Sequence, residues 1–295
     1  MSIEPRLHTV PCSLTAPRAH GRLSAQLARA ALYLALTLGA VAMILPFVWM
    51  IATSLKTEGD IFRFPTELLP RHPTLAAYRD VWQRIPFGRF FLNSVVFAGG
   101  VTLISLFLDS LTAFALARLR FRGRDFCFWI ILATLMVPFQ ITLIPLFVTV
   151  FRIDWLDTYQ GLIVPRATNA FGIFLLRQFF VTLPRDLDDA ARLDGASDFR
   201  VYWQVILPLA KPALATLAIF HFMFNWNDFL WPLVITTTTE MRTLPAGLTL
   251  FMGQYVIEHA VLMAGALISL LPLALAFFVA QRSFVRGVVM TGLKE

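Results

Sequence analysis

The stretch "PRDLDDAARLDGASDFRVYWQVILPLAKPALA", from Pro184 to Ala215, decides how the rest of the chain is read. Its local grammar is helix, joint, helix. Pro184 suits a first-turn position, Asp186, Asp188 and Asp189 favour the positive end of a helix, and Gly195 is placed to end it in a left-handed cap. Leu187, Ala190 and Ala191 fall on one face, with Asp188, Asp189 and Arg192 on the other. Ser197 or Asp198 is positioned to cap a second short helix, Phe199 to Val205, before Pro208 and Pro212 bend the chain onward. The expected product is a compact, rigid knob whose small alanines and few charges suit another protein's cleft.

The surroundings of this charged segment are oily. The chain has 295 residues, 58% of them hydrophobic and only 15% charged. A chain of that composition cannot turn its whole surface to water, which makes it a membrane protein. Its length accommodates about six or seven spans of about 20 residues and leaves little for a soluble domain. Apolar runs predict six spans, at Leu27 to Thr53, Phe90 to Ala117, Phe126 to Phe151, Gln160 to Leu183, Leu207 to Ile235 and Ala260 to Arg282. The first follows a basic leader with Arg6, Arg18, Arg22 and Arg29, is too long for a signal-peptide core and lacks a small-residue cleavage site. It reads as an uncleaved span.

Orientation follows from the short loops. "ARLRFRGRD" puts Arg118, Arg120, Arg122 and Arg124 between spans two and three, whereas the next loop sets Arg152 against Asp154 and Asp157. Basic loops stay in the cytoplasm, so the leader, the 184–212 segment and the tail with Arg282, Arg286 and Lys294 share that side. The expectation is an all-α membrane protein with N-terminus in and C-terminus in: leader 1–26, six-span domain 27–283, tail 284–295. The net charge of +7 therefore reads as topology and not as nucleic-acid binding. Cys12 and Cys127 are far apart, match no metal-ligand or redox spacing, and read as free thiols.

Asp189, Ala190 and Ala191, then Asp194, Gly195 and Ala196, then Ile206, Leu207, Pro208 and Pro212 resemble the "EAA" loop of permease subunits of ABC importers. In that family the loop forms a coupling helix that docks on the cytoplasmic ATPase. Asp189 stands where the family usually has glutamate, which keeps the charge and shortens its reach. "SLKTEGDIF", "PRHPTLAAYRDVW", "FNWNDFLWPL" and "AQRSFVRGVVMTGLKE" extend the resemblance to carbohydrate-type permeases, specifically the second permease related to the maltose and glycerol-3-phosphate importers. The resemblance implies a heterodimer with a homologous permease, two ATPase subunits and an extracytoplasmic solute-binding protein. It also implies an inner-membrane location, surrounded by lipid.

No catalytic set stands out. Lys56, Lys211 and Lys294 are preceded by Leu, Ala and Leu, so no Walker A loop exists to hold phosphates. ATP and its magnesium are expected on the partner ATPase, with no cofactor, metal site or catalytic residue in this chain. A metal-ligand cluster, a Gly-x-Ser-x-Gly elbow and a His-Glu-x-x-His pair are likewise missing from the sequence. A gradient-driven carrier would also carry polar groups in its spans, and commonly has more spans in two halves.

Polar groups within spans are costly and should face a partner or a cavity. His221, Asn225, Trp226, Asn227 and Asp228 in span five, with Asn169 in span four, are the candidate solute path. Amides and aromatic faces match the hydroxyls and C–H surface of a sugar, while an interfacial belt with Trp231 and interhelical hydrogen bonds is the structural alternative. Arg166 and Arg177 could mark an anionic solute such as a polyol phosphate, but both lie within about two turns of a membrane face and can snorkel. Asp109 in span two is expected to pair with a neighbouring helix. The expected function is a permease half for a sugar or oligosaccharide, with glycerol-3-phosphate or another polyol phosphate as the alternative.

Overall fold

The protein is described by a computed structural model covering residues 20–62, 67–253 and 257–292. The leader as far as Arg18 and the tail residue Lys294 lie outside the described residues. Among them no strand occurs, and a single isolated bridge joins Met252 to Ile257.

Three helices are long and apolar enough to cross a membrane unbroken. Helix α1, His20–Ser54, carries Arg22 and Arg29 near its start and is apolar beyond them, with exposed side chains such as Tyr33, Met43 and Ile44, which is the surface expected of a lipid-facing span. Residues up to Met50 form one compact unit and Ile51 onward a second. In the second unit α2, Ala76–Arg84, leads through Pro86 into α3, Phe87–Arg118. The last long helix, α12, is His259–Gly292, and it continues past the expected end of span six at Arg282.

The other three expected spans are broken, and this corrects the sequence reading. Phe126 to Phe151 is two helices, α4 (Arg124–Thr134) and α5 (Phe139–Arg152), bent by 96° across the residues before Pro138. Gln160 to Leu183 is a short turn, Tyr159–Ile163, a 3-10 turn containing Pro165, and then α6, Ala170–Thr182, of only 13 residues. At 1.5 Å per residue α6 is about 20 Å long, short of a hydrocarbon core of about 30 Å. Leu207 to Ile235 keeps only α9, Lys211–Trp226, continuous, with a separate α10 at Leu230–Ile235. Proline stands at the first two breaks (Pro138, Pro165) and at the start of α9 (Pro212): without an N–H it cannot continue the backbone ladder, whereas a hydropathy window registers composition alone; the gap at 227–229 between α9 and α10 holds no proline.

Before α9 lie α7, Asp186–Leu193, and α8, Asp198–Leu209, which is bent 81° from α9 and contains a π-helical stretch at Val201–Ile206. One more short helix, α11, Leu244–Leu248, follows α10.

Helix α3 is the hub. It packs along α6 and α9, while α9 packs on α12 and α12 on α2. One core joins α2, the start of α3, α11 and α12 through Val81, Phe87, Phe90, Leu244 and Ala264. A second joins the end of α3 to α6, α8 and α9 through Phe114, Phe180, Tyr202, Ile206 and Leu217. A third gathers Phe97, Val101, Leu162, Trp231 and Ile235. Polar ties fasten the connections. Asn93 Nδ2 donates to the carbonyls of Glu240 (2.7 Å) and Arg242 (2.9 Å), and Leu244 N donates to Ser94 Oγ at 2.7 Å. Asp157 accepts from the backbone N–H groups of Thr237 (2.8 Å) and Thr238 (2.9 Å) and from their hydroxyls. Partial burial alone would push the Asp157 carboxyl up, but these donors outweigh it and hold it below the usual carboxylate range.

Candidate functional site

The knob is built from its backbone upward. Asp186, Asp188 and Asp189 stand in the first turn of α7, where exposed N–H groups favour negative charge. Gly195 ends the helix at φ +81°, a left-handed conformation that side-chain-bearing residues rarely adopt. Between them Asp194 caps the C-terminus, and Ser197 Oγ then accepts from Arg200 N at 3.4 Å to start α8. Arg192 clamps the joint by donating to Asp198 Oδ1 at 3.0 Å. Asp189, Ala190 and Asp194 are exposed, Ala191 and Ala196 are half-buried, and Leu207 and Pro208 lead out of the π-helical stretch.

The two faces of α7 are not those expected from the sequence. The sequence pattern puts Asp188 on one face with Asp189 and Arg192, but it turns inward and is 3% exposed, whereas Leu187 and Ala190 point outward and Leu193 is 89% exposed. The reason is a cation in another helix. Arg118, the last residue of α3, sets Nη1 at 3.4 Å from Asp188 Oδ2 and donates from Nη2 to the Leu183 carbonyl at 2.9 Å. Burial pushes the Asp188 carboxyl above its usual range, and the neighbouring Arg118 guanidinium opposes that only in part. No local signal distinguishes Asp188 from Asp189; only the pairing of α7 with α3 does.

The polar groups of the spans form a second assembly. Asp109 on α3 is fully buried and accepts from Thr168 Oγ1 (2.7 Å) and Asn169 N (3.1 Å), with His221 Nε2 at 3.1 Å from its other oxygen. The chain breaks at Ala167 to Asn169, and a helix broken at membrane depth frees backbone donors that must find partners. Asp109 provides one partner, and Asn169 Oδ1 provides another by accepting from Phe171 N at 2.8 Å to cap α6. Gly172 permits the close approach, because a Cβ there would meet Asp109 Oδ2 and His221 Nε2.

Further along α9, Asn225 is buried and donates to the His221 carbonyl at 2.7 Å. Trp226 is buried between Phe91 and Phe222 and donates to the Ser269 carbonyl at 3.1 Å. Asn227 is exposed and donates to the Met223 carbonyl at 2.9 Å. Asp228 lies 2.9 Å from Arg166, whose guanidinium stacks 4.5 Å above the Phe139 ring. Arg177 sits 3.8 Å over the Phe128 ring and 3.8 Å from Asp125. The structure thus brings His221 and Asn169 together around Asp109, strings Asn225 along the same helix, and sets Trp226 and Asp228 in separate contacts. The sequence reading did not include Arg118 in a site. Its one available signal is position, as the first of the four arginines that end span two.

An all-helical chain with apolar spans, broken helices satisfied by buried polar groups and an exposed helix-joint-helix knob is an integral membrane transport component. The chain belongs to the family of binding-protein-dependent transport system inner membrane components, whose model matches residues 109–290. It is a multi-pass inner membrane protein of the carbohydrate-uptake ABC permease type. It is 36% identical over 263 residues to the sn-glycerol-3-phosphate transport system permease protein UgpE of Pectobacterium atrosepticum, covering 86% of this chain and 93% of that one. The UgpE of Escherichia coli (strain K12) is similar to the same extent. Among solved structures, a chain from a bacterial ABC transporter involved in the import of the acidic polysaccharide alginate superposes with a TM-score of 0.78 at 26% identity. It covers 91% of this chain and 99% of that one. A chain of an alginate ABC transporter in complex with an alginate pentasaccharide-bound periplasmic protein shares the fold at TM-score 0.64 and 14% identity.

Proposed function

We propose that this chain forms half of the solute pathway of an ATP-driven importer for a sugar or oligosaccharide. Its partners are a homologous permease, two ATPase subunits that hold ATP and magnesium, and an extracytoplasmic solute-binding protein. On this reading the chain crosses the membrane six times, three of them by broken helices, with both termini and the knob in the cytoplasm and the 54–89 segment outside. Residues 1–26 are the leader, 27–283 the permease domain and 284–295 the tail. The chain itself catalyses nothing; the ATPases hydrolyse.

The observation that carries this reading is the knob: an exposed Asp189 and Ala190 beside a half-buried Ala191, followed by Gly195 at φ +81°, in a chain of this family. On this reading ATP-driven closure of the ATPases pulls the knobs, and the spans rock between inward-open and outward-open states. Such coupling requires the knob to bind the ATPase differently in the two states. Asn227, Asn169 and Thr168 are the exposed polar groups of the solute-path region. They join His221, Asn225, Trp226 and Asp228 as its proposed lining and support. Glycerol-3-phosphate or another polyol phosphate is the second reading, favoured by the 36% identity to UgpE proteins.

The test is a pull-down of the tagged complex in detergent, comparing wild type with Asp189→Arg. Wild type should retain an ATPase that the charge reversal loses. If neither brings down an ATPase, while the purified chain alone moves solute in vesicles, a gradient-driven carrier is the better account.

A further inference from the structure

We propose that the buried Arg118–Asp188 pair is the strut that hands movement of the knob to α3, making Arg118 a positioning residue of the coupling step. The proposal rests on the importer reading above.

Its first support is the way α7 is attached. Leu187, Asp189, Ala190 and Leu193 face outward, so the inner face of the helix offers Asp188 and the small side chain of Ala191. The Arg118–Asp188 contact is thus the charged link from α7 to α3, beside the packing of α7 on the π-helical stretch of α8. The two side chains are 1% and 4% exposed, and opposite charges removed from water attract far more strongly than at a surface. Removing one partner strands the other as an uncompensated buried charge.

The second support is incompleteness. Arg118 Nε and Asp188 Oδ1 are buried with no hydrogen-bond partner, and the ionic contact is 3.4 Å, longer than a charge-assisted hydrogen bond. Beside it lies a cleft of about 450 Å³ between the 118–121 segment and the knob, lined among others by Arg120, Arg185 and Arg192. A loosely closed pair next to open space has room to adopt a second, tighter arrangement when the knob shifts.

The third support is where α3 leads. It is one unbroken helix from Phe87 to Arg118, and Asp109 lies nine residues before Arg118, about 13 Å along the axis. Asp109 is the group that pins the break before α6 and touches His221 on α9. A displacement of Arg118 is thereby delivered to the two broken elements of the pathway by a rigid rod.

The experiment uses the assembled complex in a background with Cys12 and Cys127 replaced by serine and Asn227→Cys as reporter. The rate of reaction with a membrane-impermeant maleimide is measured with and without Mg-ATP plus vanadate, alongside the co-purifying ATPase. The Arg118-intact complex should change its rate about fivefold or more between the two conditions, the scale of typical coupling between sites. Arg118→Met should retain the ATPase and lose that response, while Arg118→Lys should recover part of it. If Arg118→Met fails to accumulate, Asp188→Asn, which keeps shape and removes charge, decides by the same criterion. A full response in the variant that accumulates overturns the proposal and leaves the importer reading standing, as does an Arg118-intact complex that retains its ATPase and shows no response. An Arg118-intact chain that brings down no ATPase overturns both.

Discussion

At the residue scale, single side chains occupy positions that admit little else. Gly172 is the clearest, since a methyl group there would press on buried polar atoms of Asp109 and His221. Gly172→Ala is expected to destabilise the protein by about 1–3 kcal/mol through overpacking. A melting curve of the purified protein in detergent that matches wild type would count against the Asp109–His221 contact. Gly195 has the opposite character: nothing lies near its absent Cβ, so its requirement is purely one of backbone conformation. That difference explains why one was readable and the other was not. A glycine after an acidic-alanine helix announces a left-handed cap locally, whereas Gly172 matters because of side chains on two other helices.

At the element scale, the π-helical stretch of α8 is held by Tyr202. Its hydroxyl lies 2.8 Å from Ser110 Oγ on α3 and its ring centroid 5.4 Å from that of Phe114, with the whole side chain buried. Packing should outweigh the hydroxyl. Tyr202→Phe is expected to cost about 1 kcal/mol, the net value of a hydrogen bond. Tyr202→Ala should cost about 3–5 kcal/mol as a cavity in the core. Thermal unfolding of the two variants compares these losses, and equal shifts would contradict the primacy of packing. The breaks in the third, fourth and fifth expected spans belong to this scale too. Prolines 138, 165 and 212 were visible in the sequence, yet proline is tolerated inside membrane helices, as Pro46 of α1 and Pro272 of α12 demonstrate. Which proline breaks a helix is decided by whether neighbours supply partners for the freed backbone groups.

At the scale of the whole molecule, the arrangement predicts a sidedness that chemistry can read. Leu193 on the knob and Thr237 beside Asp157 are both exposed, and the importer reading assigns them to opposite faces of the membrane. In a cysteine-free background, Thr237→Cys should react with an impermeant maleimide on intact cells with the outer membrane opened, and Leu193→Cys only after the inner membrane is permeabilised. The reverse pattern would invert the topology. Sequence alone determined that the chain is helical and membrane-embedded, because composition and apolar run length leave no other solvent for it. It also determined the joint at Gly195, because that conformation is a property of a few adjacent residues. The bend at Pro212 was legible too, but only the tertiary structure decided where the third and fourth expected spans break and where α9 ends, that Asp188 faces Arg118, and that Asp109 gathers Thr168, Asn169 and His221. Each of these depends on charges and backbone groups from separate helices satisfying one another out of reach of water, which no local pattern encodes.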